Sequence, residues 1–256
     1  MDVLENIHSS LIFYPSNEFI SSPAQDGIEH EEIFIKTSDG EKLHGYFFPA
    51  PVKAGFKPAS KTVIYLHGNA QNVSAWYPAP VEIQKHIPVN FLLVDYRGYG
   101  QSTGKPSIEG VITDAQAMYQ YLISRDYKPE NISVYGRSIG GAIGLEVAKR
   151  EKIKSIVVQS SFTSLKEIAK ELFPFIPNGL VKNDLWNSQE IIKKINIPVL
   201  ISHGDKDEIV PVSHSYKLYE LANEPKKLII LKDATHNDIS NYFTEKYFNT
   251  LKELFI

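Results

Sequence analysis

Six short stretches of the chain are apolar at nearly every position: 62–66, 91–94, 132–135, 155–158, 198–202 and 227–231. Each is bounded by Gly, Pro, Asp or Asn within a few residues, so each reads as a strand buried on both faces. Between them the pattern changes period. Over 107–124 the apolar residues Ile108, Val111, Ile112, Ala115, Met118, Tyr119 and Leu122 fall along one helical face. Further helices are expected over 71–86 (with an irregular, Pro-containing middle), 141–150, 188–195, 213–222 and 240–254. Ahead of all these, Ile33-Phe-Ile and Leu43-His-Gly-Tyr-Phe-Phe flank Ser38-Asp39-Gly40, which predicts a hairpin turning at Asp-Gly. Residues 49–60 carry three prolines and no periodicity, and read as a loop.

Strands alternating with helices predict an α/β fold, with a mostly parallel central sheet of about eight strands and helices on both faces. The hairpin adds antiparallel strands at one edge. The rhythm breaks once, over about 162–187, where Pro174, Pro177 and Gly179 sit among apolar residues. That stretch reads as a short, cap-like insertion. No repeat or long linker divides the chain, so residues 1–256 are expected to form a single domain.

Composition narrows the classes of function. At 43% hydrophobic and 22% charged residues the chain is that of an ordinary globular protein. A net charge of −3 lacks the basic footprint of a nucleic-acid binder. The first fifteen residues are interrupted by Asp2, Glu5, Asn6, His8, Ser9 and Ser10, too polar for a membrane span or a signal peptide, and Asp2 stands where myristoylation needs Gly. No transmembrane segment is expected, and residues 1–17 are expected to pack on the protein's own surface. The absence of Cys rules out a thiol nucleophile and thiolate metal sites, and fits a cytoplasmic location.

The candidate chemistry centres on Gly136-Arg137-Ser138-Ile139-Gly140, a Gly-x-Ser-x-Gly pattern. Such a match arises by chance in about one chain of this length in ten. Its position lifts it: the strand Ile132-Ser-Val-Tyr135 precedes it and a small-residue helix follows. A strand–turn–helix of this kind exposes the Ser hydroxyl at the carboxyl edge of the sheet. A Ser hydroxyl needs a base, and a base His needs a carboxylate on its other nitrogen. His236, in Asp233-Ala-Thr-His-Asn-Asp after the last strand, is the candidate base. Asp205 and Asp207 both follow His203-Gly204. Asp207, further into the loop, is placed to reach His236, while Asp205 is placed to brace the turn. The candidate oxyanion donors are the N–H of Ile139, directly after the Ser, and that of Asn69, with Ala70 beside it. His67 and His203, each before a Gly at a strand end, read as turn supports, and Asp95 as a residue that ties down the loop after its strand. No paired-His motif calls for a metal, and no Gly-rich phosphate loop for a nucleotide cofactor.

Several spaced motifs carry a resemblance. They are His67-Gly-Asn-Ala70, Asp95-Tyr-Arg-Gly-Tyr-Gly-Gln-Ser-Thr-Gly-Lys-Pro-Ser107, Gly136-Arg-Ser-Ile-Gly140, His203-Gly-Asp-Lys-Asp207-Glu and His236-Asn-Asp-Ile239. Over almost its whole length the chain resembles the α/β-hydrolases. It is most similar to the branch that includes the fungal bud-emergence-type hydrolases and the eukaryotic α/β-hydrolase-domain depalmitoylases. The resemblance implies a triad of Ser138, Asp207 and His236. Two departures hold back depalmitoylation itself: the Cys-rich N-terminus of those enzymes is missing, and Arg137 stands where Gln is common.

The expected activity is hydrolysis of a carboxylic ester or thioester through an acyl-enzyme, as in serine esterases and thioesterases (EC 3.1). Water resolves that intermediate, so the reaction calls for a small-molecule or acyl substrate and no cofactor. Phe173, Phe175, Ile176 and Trp186 are the candidate lining of an acyl pocket. The nearest rival is a peptidase of the prolyl-oligopeptidase kind, whose usual propeller domain is missing from this sequence. A non-catalytic binding protein on the same fold is the rival from another class.

Overall fold

The computed structural model describes residues 12–51, 60–172 and 186–256. Its main sheet has eight strands: β2 (Glu31–Lys36), β3 (Lys42–Phe48), β4 (Thr62–Leu66), β6 (Asn90–Val94), β7 (Ile132–Arg137), β8 (Ser155–Gln159), β9 (Val199–Gly204) and β10 (Lys226–Leu231). Their order across the sheet is β10-β9-β8-β7-β4-β6-β3-β2. The six strands from β10 to β6 run parallel. The predicted hairpin, β2 and β3, closes the other edge antiparallel. The sheet class, the strand count and the hairpin are those expected from the sequence.

The unbroken apolar runs have a direct cause, since both faces of the sheet are covered. On one face Ile64, Leu66, Leu92, Val94, Val134 and Ile156 belong to a core that includes α3 (Ile108–Ser124) and α4 (Ile139–Arg150). On the other, Val63, Tyr65, Phe91, Leu93 and Tyr135 belong to a core that includes Val73 of α1 (Val73–Trp76), Ile83 of α2 (Pro78–His86) and Tyr247 and Leu251 of α8 (Glu245–Phe255). Adjacent residues of one strand thus feed different cores, so one apolar run serves two layers.

Helix starts follow their local chemistry. Ser107 caps α3 by accepting from the Gly110 N–H, and Asn72 caps α1 by accepting from the Ser74 N–H. The expected helix over 71–86 is two helices, with Pro78 opening the second. The expected helix over 240–254 is corrected more substantially. A 3-10 turn spans Ile239–Tyr242, and Thr244, accepting from the Tyr247 N–H, starts α8 afresh. Periodicity ran through a break that the cap residue marks. The remaining helices are α5 (Leu165–Leu172), α6 (Ser188–Ile192) and α7 (Ser213–Leu221).

The N-terminal segment does pack on the body from residue 12 onward. β1 (Tyr14–Pro15) pairs with β5 (Ala70–Gln71), and the Asn72 amide donates to the carbonyls of Ser16 and Glu18. Among the described residues no helix is long and apolar enough to cross a membrane.

Where β3 meets β6, a Cβ on Gly45 would lie 2.3 Å from the Leu93 carbonyl oxygen. Backbone cannot yield as a side chain does. Gly45→Ala is therefore expected to cost about 3 kcal/mol and lower Tm by roughly 6–10 °C. A thermal melt that leaves Tm unchanged would show that the two strands are not so close.

Candidate active site

Ser138 sits between β7 and α4 with φ 57°, in the region that L side chains avoid. The turn that forces it there has no room for side chains nearby. A Cβ on Gly136 would meet the Gly140 carbonyl oxygen at 2.2 Å, and one on Gly140 would meet the Leu66 carbonyl oxygen at 2.1 Å. The strained Ser is thus held by close backbone packing on either side of it. The Ile139 N–H is the first of α4, where helical N–H groups have no partner within the helix.

The turn after β4 comes up beside this Ser: a Cβ on Gly68 would lie 3.7 Å from the Ser138 Cβ. Its geometry is set by His67. The ring Nδ1 lies 2.7 Å from the Gly68 carbonyl oxygen, which can only accept, so Nδ1 carries the proton and donates. Burial holds the His67 pKa down at about 4, leaving the ring neutral at pH 7. Because the peptide is planar and trans, pinning the Gly68 carbonyl directs the Asn69 N–H to the opposite side. The Asn69 carbonyl is pinned too, by the Tyr14 N–H at 2.9 Å and the Tyr99 hydroxyl at 2.7 Å. His67 was legible only as a turn support. Its role in aiming a specific amide depends on the ring's orientation, which no sequence signal carried.

On the far side, Asp207 and His236 meet. His236 Nδ1 is 2.7 Å from Asp207 Oδ2. Asp207 Oδ1 accepts from the N–H groups of Ile209 at 3.0 Å and Val210 at 2.8 Å. His203 adds another contact: its Nε2 lies 3.1 Å from Asp207 Oδ2 and 2.8 Å from the Val210 carbonyl oxygen. Nε2 faces two acceptors and therefore carries the proton, while Nδ1 meets the Ser215 hydroxyl at 2.6 Å. Burial alone would raise the Asp207 pKa, but the hydrogen bonds from His203 and His236 outweigh it and hold the carboxyl well below the usual carboxylate range. His203 is thus a second ring on the same carboxylate, beyond the turn-support reading of the sequence.

The rival carboxylate does what was expected of it: Asp205 Oδ1 accepts from the Asp233 N–H and braces the turn. Asp95 acts elsewhere than expected: its carboxylate accepts from the Val73 N–H at 2.8 Å, at the start of α1, and so engages the segment after β4 rather than the loop after its own strand. Of the candidate pocket residues, Phe173, Phe175 and Ile176 lie outside the described residues. Trp186 is fully buried, edge-on to Phe13 at 5.9 Å between ring centres. Among the described residues no cluster of His, Asp or Glu could hold a metal ion.

The sequence profile of the alpha/beta hydrolase fold matches residues 61–189. The YfhR protein of Salmonella typhi, whose own function is uncharacterized, is 35% identical over 99% of this chain and 88% of its own length. Protein bem46 of Schizosaccharomyces pombe is 33% identical over 87% of this chain and 76% of its own. Among solved structures, the Pyrococcus furiosus esterase Pf2001 superposes with a TM-score of 0.73 at 25% identity, covering 95% of this chain and 97% of the esterase.

The depressed Asp207 pKa carries a stability prediction. Its ionised form is favoured in the folded state, so its contribution is complete above the unfolded carboxyl value of about 3.9 and is lost as pH falls through the folded value. Asp207→Asn is expected to lower unfolding free energy at pH 7 by about 2 kcal/mol. Urea titrations should show that gap constant down to about pH 5 and narrowing below about pH 4. A gap that widens on acidification would reverse the sign of this assignment.

Proposed function

The chain belongs to the α/β-hydrolase family, and on that premise we propose that it is a serine hydrolase that cleaves a carboxylic ester or thioester through an acyl-enzyme. The observation that carries this reading is the Asp207–His236 contact at 2.7 Å, on a loop that packs against the turn bearing the strained Ser138. A carboxylate bonded to Nδ1 fixes the tautomer that leaves Nε2 free to accept a proton.

In the proposed reaction Ser138 Oγ attacks the substrate carbonyl carbon as its proton passes to His236 Nε2. The C=O π pair moves onto oxygen, where the N–H groups of Ile139 and Asn69 receive the charge. Collapse of this adduct breaks the bond to the alcohol or thiol, which leaves with the proton from His236. Water then attacks the acyl-enzyme and gives a proton to His236; as the second adduct collapses, the bond to Ser138 Oγ breaks, His236 returns the proton to that oxygen, and the acid is released. No cofactor enters these steps. Ester cleavage is favoured over peptide cleavage by the similarity to a solved esterase that spans nearly the whole of both chains.

The test is a fluorophosphonate probe read by intact mass, beside turnover of short- and long-chain p-nitrophenyl esters and of aminoacyl anilides. One adduct is expected on the wild-type protein and none on Ser138→Ala or His236→Ala. Ester turnover in either variant should fall roughly 10⁴-fold or more. Anilides turned over faster than esters would favour the peptidase. An unlabelled wild type would favour a non-catalytic binding protein.

A further inference from the structure

Arg137 occupies the variable position of Gly-x-Ser-x-Gly, and the reading above gives it no part. It is nonetheless a buried cation, 6% exposed. Among the described residues no carboxylate forms an ion pair with it, and its Nε lies buried without a hydrogen-bond partner. Burying an unpaired charge is costly, so the contacts that the guanidinium does make must offset that cost.

Those contacts lead to each part of the site. Arg137 Nη2 donates to the His236 main-chain carbonyl at 2.7 Å, across 99 positions of sequence. A hydrogen bond from a cation is stronger than a neutral one, and this one anchors the backbone from which the candidate base projects. The guanidinium carbon also lies 5.0 Å from the centre of the Trp76 ring, a cation–π contact. Trp76 in turn holds the turn after β4. Its indole N–H donates to the Ala70 carbonyl at 2.8 Å, and its ring edge would lie 2.9 Å from a Cβ on Gly68. On the other side, Arg137 is joined by a single peptide bond to Ser138.

We propose that Arg137 is a positioning residue that holds His236 through its carbonyl, and the Gly68–Ala70 turn through Trp76, in register with Ser138. This rests on the serine-hydrolase reading. One planar group with several fixed donors can do this where a flexible ammonium does it less well.

The experiment compares wild type, Arg137→Lys, Arg137→Met and Trp76→Phe in the full chain. Each is titrated with the fluorophosphonate to count competent sites, then measured for inactivation rate, for kcat and KM on p-nitrophenyl butyrate, and for Tm. Arg137→Met is expected to inactivate and turn over about 10- to 100-fold more slowly per competent site, with KM changed less than about 3-fold. Arg137→Lys, which keeps a donor for the His236 carbonyl, should recover part of that loss. Trp76→Phe, which keeps a ring but loses the donor to Ala70, should show a smaller loss of the same kind. Fewer competent sites, each working at the wild-type rate, would reduce Arg137 to a folding role and overturn the proposal. Equal rates in Arg137→Met and wild type would overturn it alone. An unlabelled wild type would instead overturn the serine-hydrolase reading, and this proposal with it.

Discussion

Much of the molecule is arranged around one close approach of backbone to backbone. At the end of β7 the chain must reverse into α4 within a residue, and the Gly140 Cα comes so near the Leu66 carbonyl that no side chain fits. That approach ties the central strand β4 to the start of the helix, and it forces Ser138 into a left-handed conformation. The strain is affordable because β7 and β4 lie mid-sheet, paired on both sides and covered on both faces. A turn at an edge strand would lack the surrounding packing that over-determines such a conformation.

Around this turn, charge is distributed in an unusual way. Asp207 is a buried carboxylate with an excess of donors: two main-chain N–H groups and two imidazoles. Arg137 is a buried cation with no ion pair among the described residues, held by a carbonyl and an indole face. The two do not pair with each other. Each instead engages His236, one through the ring and the other through the backbone. A histidine held at both points keeps its direction when its ring gains or loses a proton, as the proposed chemistry requires.

The N-terminal segment extends the same logic to the opposite side. The Tyr14 N–H and the Tyr99 hydroxyl both bind the Asn69 carbonyl, and Phe13 packs on Trp186. The N-terminal segment, expected to pack on the body, thus also braces the turn that bears a candidate oxyanion donor.

The sheet class, the hairpin and the reach of Asp207, rather than Asp205, to the His236 ring were all legible in the residues, because each depends on local information. Unbroken Val-Ile-Leu runs mean two covered faces, Asp-Gly means a tight turn, and two residues further into a loop means longer reach. The break before α8 was missed for the opposite reason: periodicity persisted across it, and only Thr244 marked the new start. His67, His203 and Arg137 could be named from sequence but not understood. Each acts through one atom aimed at a partner from another element: the Gly68 carbonyl, the Asp207 carboxylate, the His236 carbonyl. By itself the sequence determined the strands of the main sheet, most of the helices and which residues stand at the strand ends. The direction of each ring, amide and guanidinium was decided by tertiary structure alone, because a hydrogen bond depends on angles that are fixed only when distant strands are packed side by side.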